Sequence, residues 1–223
     1  MTARLIPATL VAFAALAAPA AAAPTMQPLK PCYVSAGEAN DRRERMQIAG
    51  TGFTPNALVD VLIDGVAVAS GTADPLGELA ASVSAPYQDA GERAFTLSVV
   101  ERENPAQVAS APSRVTALAM TLRPRQARPS KRVRFRGRGF TGQGPVYAHY
   151  VFAGRVRKTV RLGRPEGACG TFAVRRRQIP LRRPRTGAWT LQVDQRREYS
   201  ASPGTNWVRL LIKVRRIFRD PGR

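Results

Sequence analysis

Gly50-Thr51-Gly52-Phe53-Thr54 recurs as Gly137-Arg138-Gly139-Phe140-Thr141, 87 positions further along the chain. Four matching positions of five are weak evidence of repetition by themselves, but the landmarks behind them recur in the same order. Asp64-Gly65 answers to Ala153-Gly154, Pro75-x-Gly77 to Pro165-x-Gly167, and Pro86 to Pro180. The closest match is Ala94-Phe95-Thr96-Leu97-Ser98-Val99 against Ala188-Trp189-Thr190-Leu191-Gln192-Val193. The offset drifts from 87 to 94 along the repeat, as it does when a duplicated unit gains residues in its surface loops. The reading places the copies at 24–118 and 119–223, joined by the Arg- and Pro-containing stretch from Ala119 to Pro129.

Within each copy apolar residues alternate with polar ones: Arg45-Met46-Gln47-Ile48, Val59-Asp60-Val61, Arg132-Val133-Arg134-Phe135-Arg136 and Leu191-Gln192-Val193. A period of two is that of a strand with one face in a core. Turn signals such as Thr54-Pro55-Asn56, Asp74-Pro75, Thr141-Gly142-Gln143-Gly144-Pro145 and Ser202-Pro203-Gly204 cut these runs at fairly regular spacing. About seven short strands per ~95 residues is the pattern of a β-sandwich. The expected fold is therefore all-β, two tandem immunoglobulin-like sandwiches, with Phe95 and Trp189 inward at matching positions. Val208, Leu210, Ile212 and Val214 alternate as in a final strand. The wider stretch from Trp207 to Phe218 also lines up on one helical face, which leaves a basic amphipathic helix as the alternative.

The pattern Ile48-x-Gly50-x-Gly52-Phe53-x-Pro55, followed by Val59-x-Val61 and Asp64-Gly65, resembles the bacterial IPT/TIG immunoglobulin-like domain. The second copy keeps Phe135-x-Gly137-x-Gly139-Phe140 but has Gly142 where the first has Pro55. The resemblance implies a sandwich for most of each copy. It implies no particular ligand, since such domains serve as spacers, adhesion modules and accessory domains of enzymes.

Residues 1–23 have the build of a secretory signal peptide: Arg4, an apolar stretch from Leu5 to Leu16, and an Ala-rich zone from Ala17 to Ala23. An uncleaved anchor is the competing reading. The apolar stretch is shorter than the ~20 residues a membrane span needs, and Pro7 and Pro19 interrupt it. Export to the cell envelope or the medium follows, with no transmembrane segment expected in the mature chain. In such a compartment Cys32 and Cys169, the 2 cysteines of the chain, are expected to form one disulfide joining the two copies.

The formal net charge of +20 is unevenly divided. The first copy holds 7 basic and 11 acidic residues, a net −4, and the second 27 basic and 4 acidic, a net +23. A coding preference explains arginine over lysine, but it acts on both copies alike, so the asymmetry needs another cause. Arg132, Arg134, Arg136 and Arg138 fall on one face of a strand at intervals of about 6.7 Å. Further clusters are Arg155 with Arg157, Arg175 to Arg177, and Arg182, Arg183 and Arg185. Guanidinium forks suit phosphate and carboxylate oxygens. The candidate polyanion-binding residues are thus Arg132, Arg134, Arg136, Arg138, Arg155, Arg157, Arg175 and Arg177. The partner is expected to be an anionic polymer or an acidic protein surface. Nucleic acid is a third option, favoured by arginine but without a recognised binding motif. A merely solvated basic surface is the bland alternative.

Tyr147 and His149 share one side of a presumed strand, either to stack on a ligand or as a half-buried aromatic pair. His149 is the only histidine. One histidine and two cysteines do not make an ordinary metal site. No Gly-x-Ser-x-Gly or His-Glu-x-x-His motif occurs. The expectation is a protein that is not an enzyme, with no catalytic residues, no metal and no cofactor.

Overall fold

The computed structural model describes residues 23–215 apart from Pro203 and Thr205. The expected signal peptide lies outside the described residues except for Ala23, as does the end of the Trp207–Phe218 segment.

The first copy folds as β1 (Thr25–Met26), β2 (Tyr33–Ser35), β3 (Arg45–Thr51), β4 (Leu58–Ile63), β5 (Val66–Thr72), β6 (Leu79–Ser84), β7 (Glu92–Glu101) and β8 (Val108–Ala117). One sheet has the order β1-β3-β6 and the facing sheet β2-β8-β7-β4-β5. The period-two pattern sends Met46 and Ile48 from β3 against Val61, Phe95, Leu97 and Val99 from β4 and β7. Removing such side chains from water stabilises the fold by about 1.5–3 kcal/mol each.

The second copy repeats the plan in β9 (Ala119–Arg123), β10 (Arg132–Arg138), β11 (Val146–Phe152), β12 (Arg155–Gly163), β13 (Phe172–Arg177), β14 (Gly187–Asp194) and β15 (Val208–Val214). Its sheets are β13-β10-β9 and β12-β11-β14-β15. The order is the same strand for strand except that nothing among the described residues corresponds to β2. Its core gathers Val133, Phe135, Tyr150, Trp189, Leu191 and Val193. Phe95 and Trp189 are both buried as expected, and residues 208–214 are strand rather than helix. The stretch from Ala119 to Pro129 is not a loose connector. Ala119–Arg123 is β9, hydrogen-bonded along β10 with Met120 opposite Gly137, as Met26 stands opposite Gly50.

The repeated Gly-x-Gly-Phe motif holds each sandwich shut at one end. Phe53 and Phe140 are buried, and their amides donate to Gly77 O (3.1 Å) and Gly170 O (3.2 Å). This corrects one sequence correspondence. Pro75-x-Gly77 was matched to Pro165-x-Gly167, but the partner of Gly77 is Gly170, because the second turn is one residue longer, from Glu166 to Thr171 rather than Asp74 to Glu78. Both glycines have positive φ, 74° and 58°. A Cβ there would lie 2.2 Å from the carbonyl oxygen of Phe53 or Phe140.

That turn also carries the link between copies. Cys169 is bonded to Cys32, with Cα atoms 5.2 Å apart. Around the bond, Lys30 Nζ donates to Glu44 Oε1 (2.6 Å) and to Thr141 Oγ1 (2.9 Å). The Leu118 amide, between β8 and β9, donates to Ser35 O (2.8 Å). Arg42 lies over the Trp207 ring, 5.4 Å from its centroid.

Gly170→Ala should cost more than about 2 kcal/mol, because steric conflict with backbone adds to the left-handed φ. Gly154→Ala, in the β11–β12 turn, has open space around the added carbon and should cost only about 1 kcal/mol. Denaturant unfolding of the two variants checks the ranking.

Candidate functional site

The outer face of the β13-β10-β9 sheet is a grid of guanidinium groups. Val133 and Phe135 point inward from β10, so Arg132, Arg134 and Arg136 point out and are exposed, and Arg138 is half-buried. The pairing extends the row sideways. Arg132 stands opposite Arg177, and Arg134 lies between Arg175 on one side and Arg123 on the other. Neighbouring strands are about 4.8 Å apart and successive same-face residues about 6.7 Å. Arg123 was not among the sequence candidates, since its place on the face depends on β9 pairing with β10, which no local pattern announces.

The structure does not bring all the candidates together. Arg155 and Arg157 lie on β12, the edge strand of the opposite sheet. Arg182, Arg183 and Arg185 lie in the connection from β13 to β14. The coherent face is therefore Arg123, Arg132, Arg134, Arg136, Arg138, Arg175 and Arg177.

Ion pairing separates the two copies. In the first, Lys30 pairs with Glu44, Arg93 with Asp64, Arg102 with Asp60 and Arg114 with Glu92. Among the described residues of the second copy, no arginine or lysine pairs with a carboxylate. Its described carboxylates are Glu166, Asp194 and Glu198, and Asp194 is engaged inside the protein. Like charges at strand spacing repel one another.

His149 is not a surface aromatic. It is fully buried, because the segment after β14 folds over its sheet and stacks Tyr199 edge-on at 5.8 Å. Nδ1 lies 3.0 Å from Thr159 Oγ1, and Nε2 lies 3.3 Å from Asp194 Oδ1 and 3.1 Å from Arg196 O. Gln192 Nε2 donates to Asp194 Oδ2 and to Ser200 O, both at 2.9 Å. Arg209 Nε donates to Gln192 Oε1 (3.3 Å), and its guanidinium stacks 4.4 Å from the Trp207 centroid, on the ring that Arg42 also covers. This network holds the end of β14 to the start of β15 beside the first copy. Sequence reading missed it because Asp194, Gln192 and Arg209 become neighbours only through the pairing of β11, β14 and β15.

Comparisons with known proteins add little. No family model and no curated protein matches the chain. Among solved structures, similarity is found to a 1.5-MDa bacterial ice-binding adhesin studied for host cell surface retention, at 19% identity and a TM-score of 0.30 over 76% of this chain. It is also found to the N-terminal eight Ig domains of Down Syndrome Cell Adhesion Molecule, at 11% identity and 0.30 over 87%. Bovine butyrophilin matches at 8% identity and 0.31 over 87%. The chain spans 57% of the matched adhesin chain and 24% of the cell adhesion molecule chain.

Burial pushes the Asp194 carboxyl upward, but hydrogen bonds from His149, Gln192 and the Arg196 amide outweigh it and hold the group below the usual carboxylate range. A depressed folded-state value gives stabilisation that is present above the unfolded value, about 3.9, and lost as pH falls through the folded one. Asp194→Ala should therefore lower stability at neutral pH by about 2–4 kcal/mol, since Gln192, His149 and the Arg196 amide each lose a buried acceptor. Its deficit relative to wild type should shrink on acidification, which thermal unfolding at pH 7 and at roughly pH 3 measures.

Proposed function

We propose that the chain is an exported, non-enzymatic binding protein built from two IPT/TIG-like units, 24–118 and 119–223, behind a signal peptide. The second unit binds an anionic polymer of the cell envelope or its surroundings. The observation that carries this reading is the arginine face of β9, β10 and β13, which has no carboxylate partner among the described residues. Its outward side chains contribute little to the core, so their charge is not needed for folding. Arginine is suited to the task because each planar fork can grip two oxygens of a phosphate, sulfate or carboxylate. Extracytoplasmic location is supported by the Cys32–Cys169 disulfide, a bond that persists in oxidising compartments.

A second reading is favoured by that same disulfide. Two sandwiches joined by a covalent bond as well as by the chain would also make a stiff spacer, its basic surface meeting an acidic protein.

Binding of the mature chain to a single-stranded oligonucleotide, used simply as a phosphate polymer, separates the two. If five arginines neutralise phosphates, log affinity should fall with log salt at a slope of about −3.5. Arg132→Ser, Arg134→Ser and Arg136→Ser together should flatten that slope by about 2, whereas Arg155→Ser with Arg157→Ser should leave it nearly unchanged. A spacer predicts no steep slope and no difference between the variants. Absence of measurable binding at about 50 mM salt removes the polymer reading.

A further inference from the structure

The two copies treat their outermost strand differently. In the first, the edge of β8 is covered by β2, which runs parallel to it with Tyr33 opposite Val115 and Ser35 opposite Ala117. In the second, nothing among the described residues pairs with the outer edge of β15. Phe95 stands opposite Ser113, and Trp189 opposite Ile212, so Val214 occupies the place of Val115.

The segment that follows β9, as β2 follows β1, does not cross to pair with β15 but bonds to the residues just after β13, in its own sheet. Arg125 O accepts from Gln178 Nε2 (3.1 Å) and Pro129 O from the Ile179 amide (2.9 Å). A cavity of about 600 Å³ opens between this segment and β15. Ala127, Ile212 and Val214 form apolar wall, and Arg128, Lys213 and Arg215 stand around it. Leu211 beside it is 74% exposed.

We propose that this slot is a strand-acceptor site: it takes an extended acidic segment of a partner protein, which adds to β15 as β2 adds to β8. An open strand edge offers unpaired amides and carbonyls, the template on which another chain pairs. Backbone hydrogen bonds supply affinity, and alternate side chains entering the slot supply selectivity. The cationic surround selects acidic flanks and disfavours a second copy of this chain, whose net charge is +20. Its strand-pairing edge, on β15, is distinct from the arginine face, which lies on the opposite sheet.

The test uses the full mature chain and the synthetic peptide Asp-Glu-Val-Thr-Val-Thr-Val-Glu-Asp, with hydrogen exchange read along β15. Two further peptides carry N-methyl groups on the valines or on the threonines, without change of charge. A strand turns alternate amides to its neighbour, so one methylated peptide should lose binding by about tenfold or more while the other keeps it. The parent peptide should slow exchange at β15. Lys213→Glu with Arg215→Glu should weaken it by about tenfold and favour a lysine-flanked version. Equal binding by both methylated peptides overturns the proposal, as does protection confined to β10 and β13, which would assign the peptide to the arginine face. Outward β15 amides already protected in the free chain overturn it too, since the edge is then occupied from within.

Discussion

Charge without counter-charge is the constraint on which the second sandwich is built. Its 27 basic residues share 105 positions with 4 carboxylates, and one of those, Asp194, is spent on a buried network with His149 and Gln192. The sandwich accommodates this load because strand geometry separates the tasks of folding and display. Along β10, Val133 and Phe135 enter the core while Arg132, Arg134 and Arg136 stand in solvent. Antiparallel pairing then aligns the rows of β13 and β9 beside them, so one alternation in sequence becomes a two-dimensional array. The first copy, with the same plan, pairs four of its seven basic residues with carboxylates and has no such array.

The joint between copies is compact and mixed in chemistry. The turn that closes the second sandwich against Phe140 also carries Cys169, so the disulfide is anchored in a turn whose backbone is held by hydrogen bonds to Gly139 and Phe140. Lys30 reaches from Glu44 in the first copy to Thr141 in the second. On another side, Trp207 lies between Arg42 and Arg209, and Arg209 continues into the Gln192–Asp194–His149 network. The start of β15 is thus tied to the first copy, while at the Val214 end, where the slot lies, no described strand takes the place of β2.

What was legible in the sequence was local. The alternation in β3, β4, β10 and β14, the turns at Thr54-Pro55-Asn56 and Asp74-Pro75, and the inward Phe95 and Trp189 could all be read from neighbouring residues. What was not legible depended on chain crossings. Arg123 joined the arginine face, and Arg155 and Arg157 left it, because of which strands pair with which. The match of Pro165-x-Gly167 to Pro75-x-Gly77 rests on spacing alone, and the extra residue in the second turn moves the carbonyl-contacting glycine to Gly170. His149 is fully buried, beyond either alternative the strand pattern offers, because the fold-over of the segment after β14 has no periodic signature.

The claim that the arginine face is the polymer site is tested most directly by arginine-selective chemical modification of the mature chain, mapped by mass spectrometry with and without a bound phosphate polymer. The account predicts protection at Arg123, Arg132, Arg134, Arg136, Arg175 and Arg177, with Arg155, Arg157 and the 182–185 cluster still modified. Uniform protection of all arginines, or protection centred on β12, would contradict it.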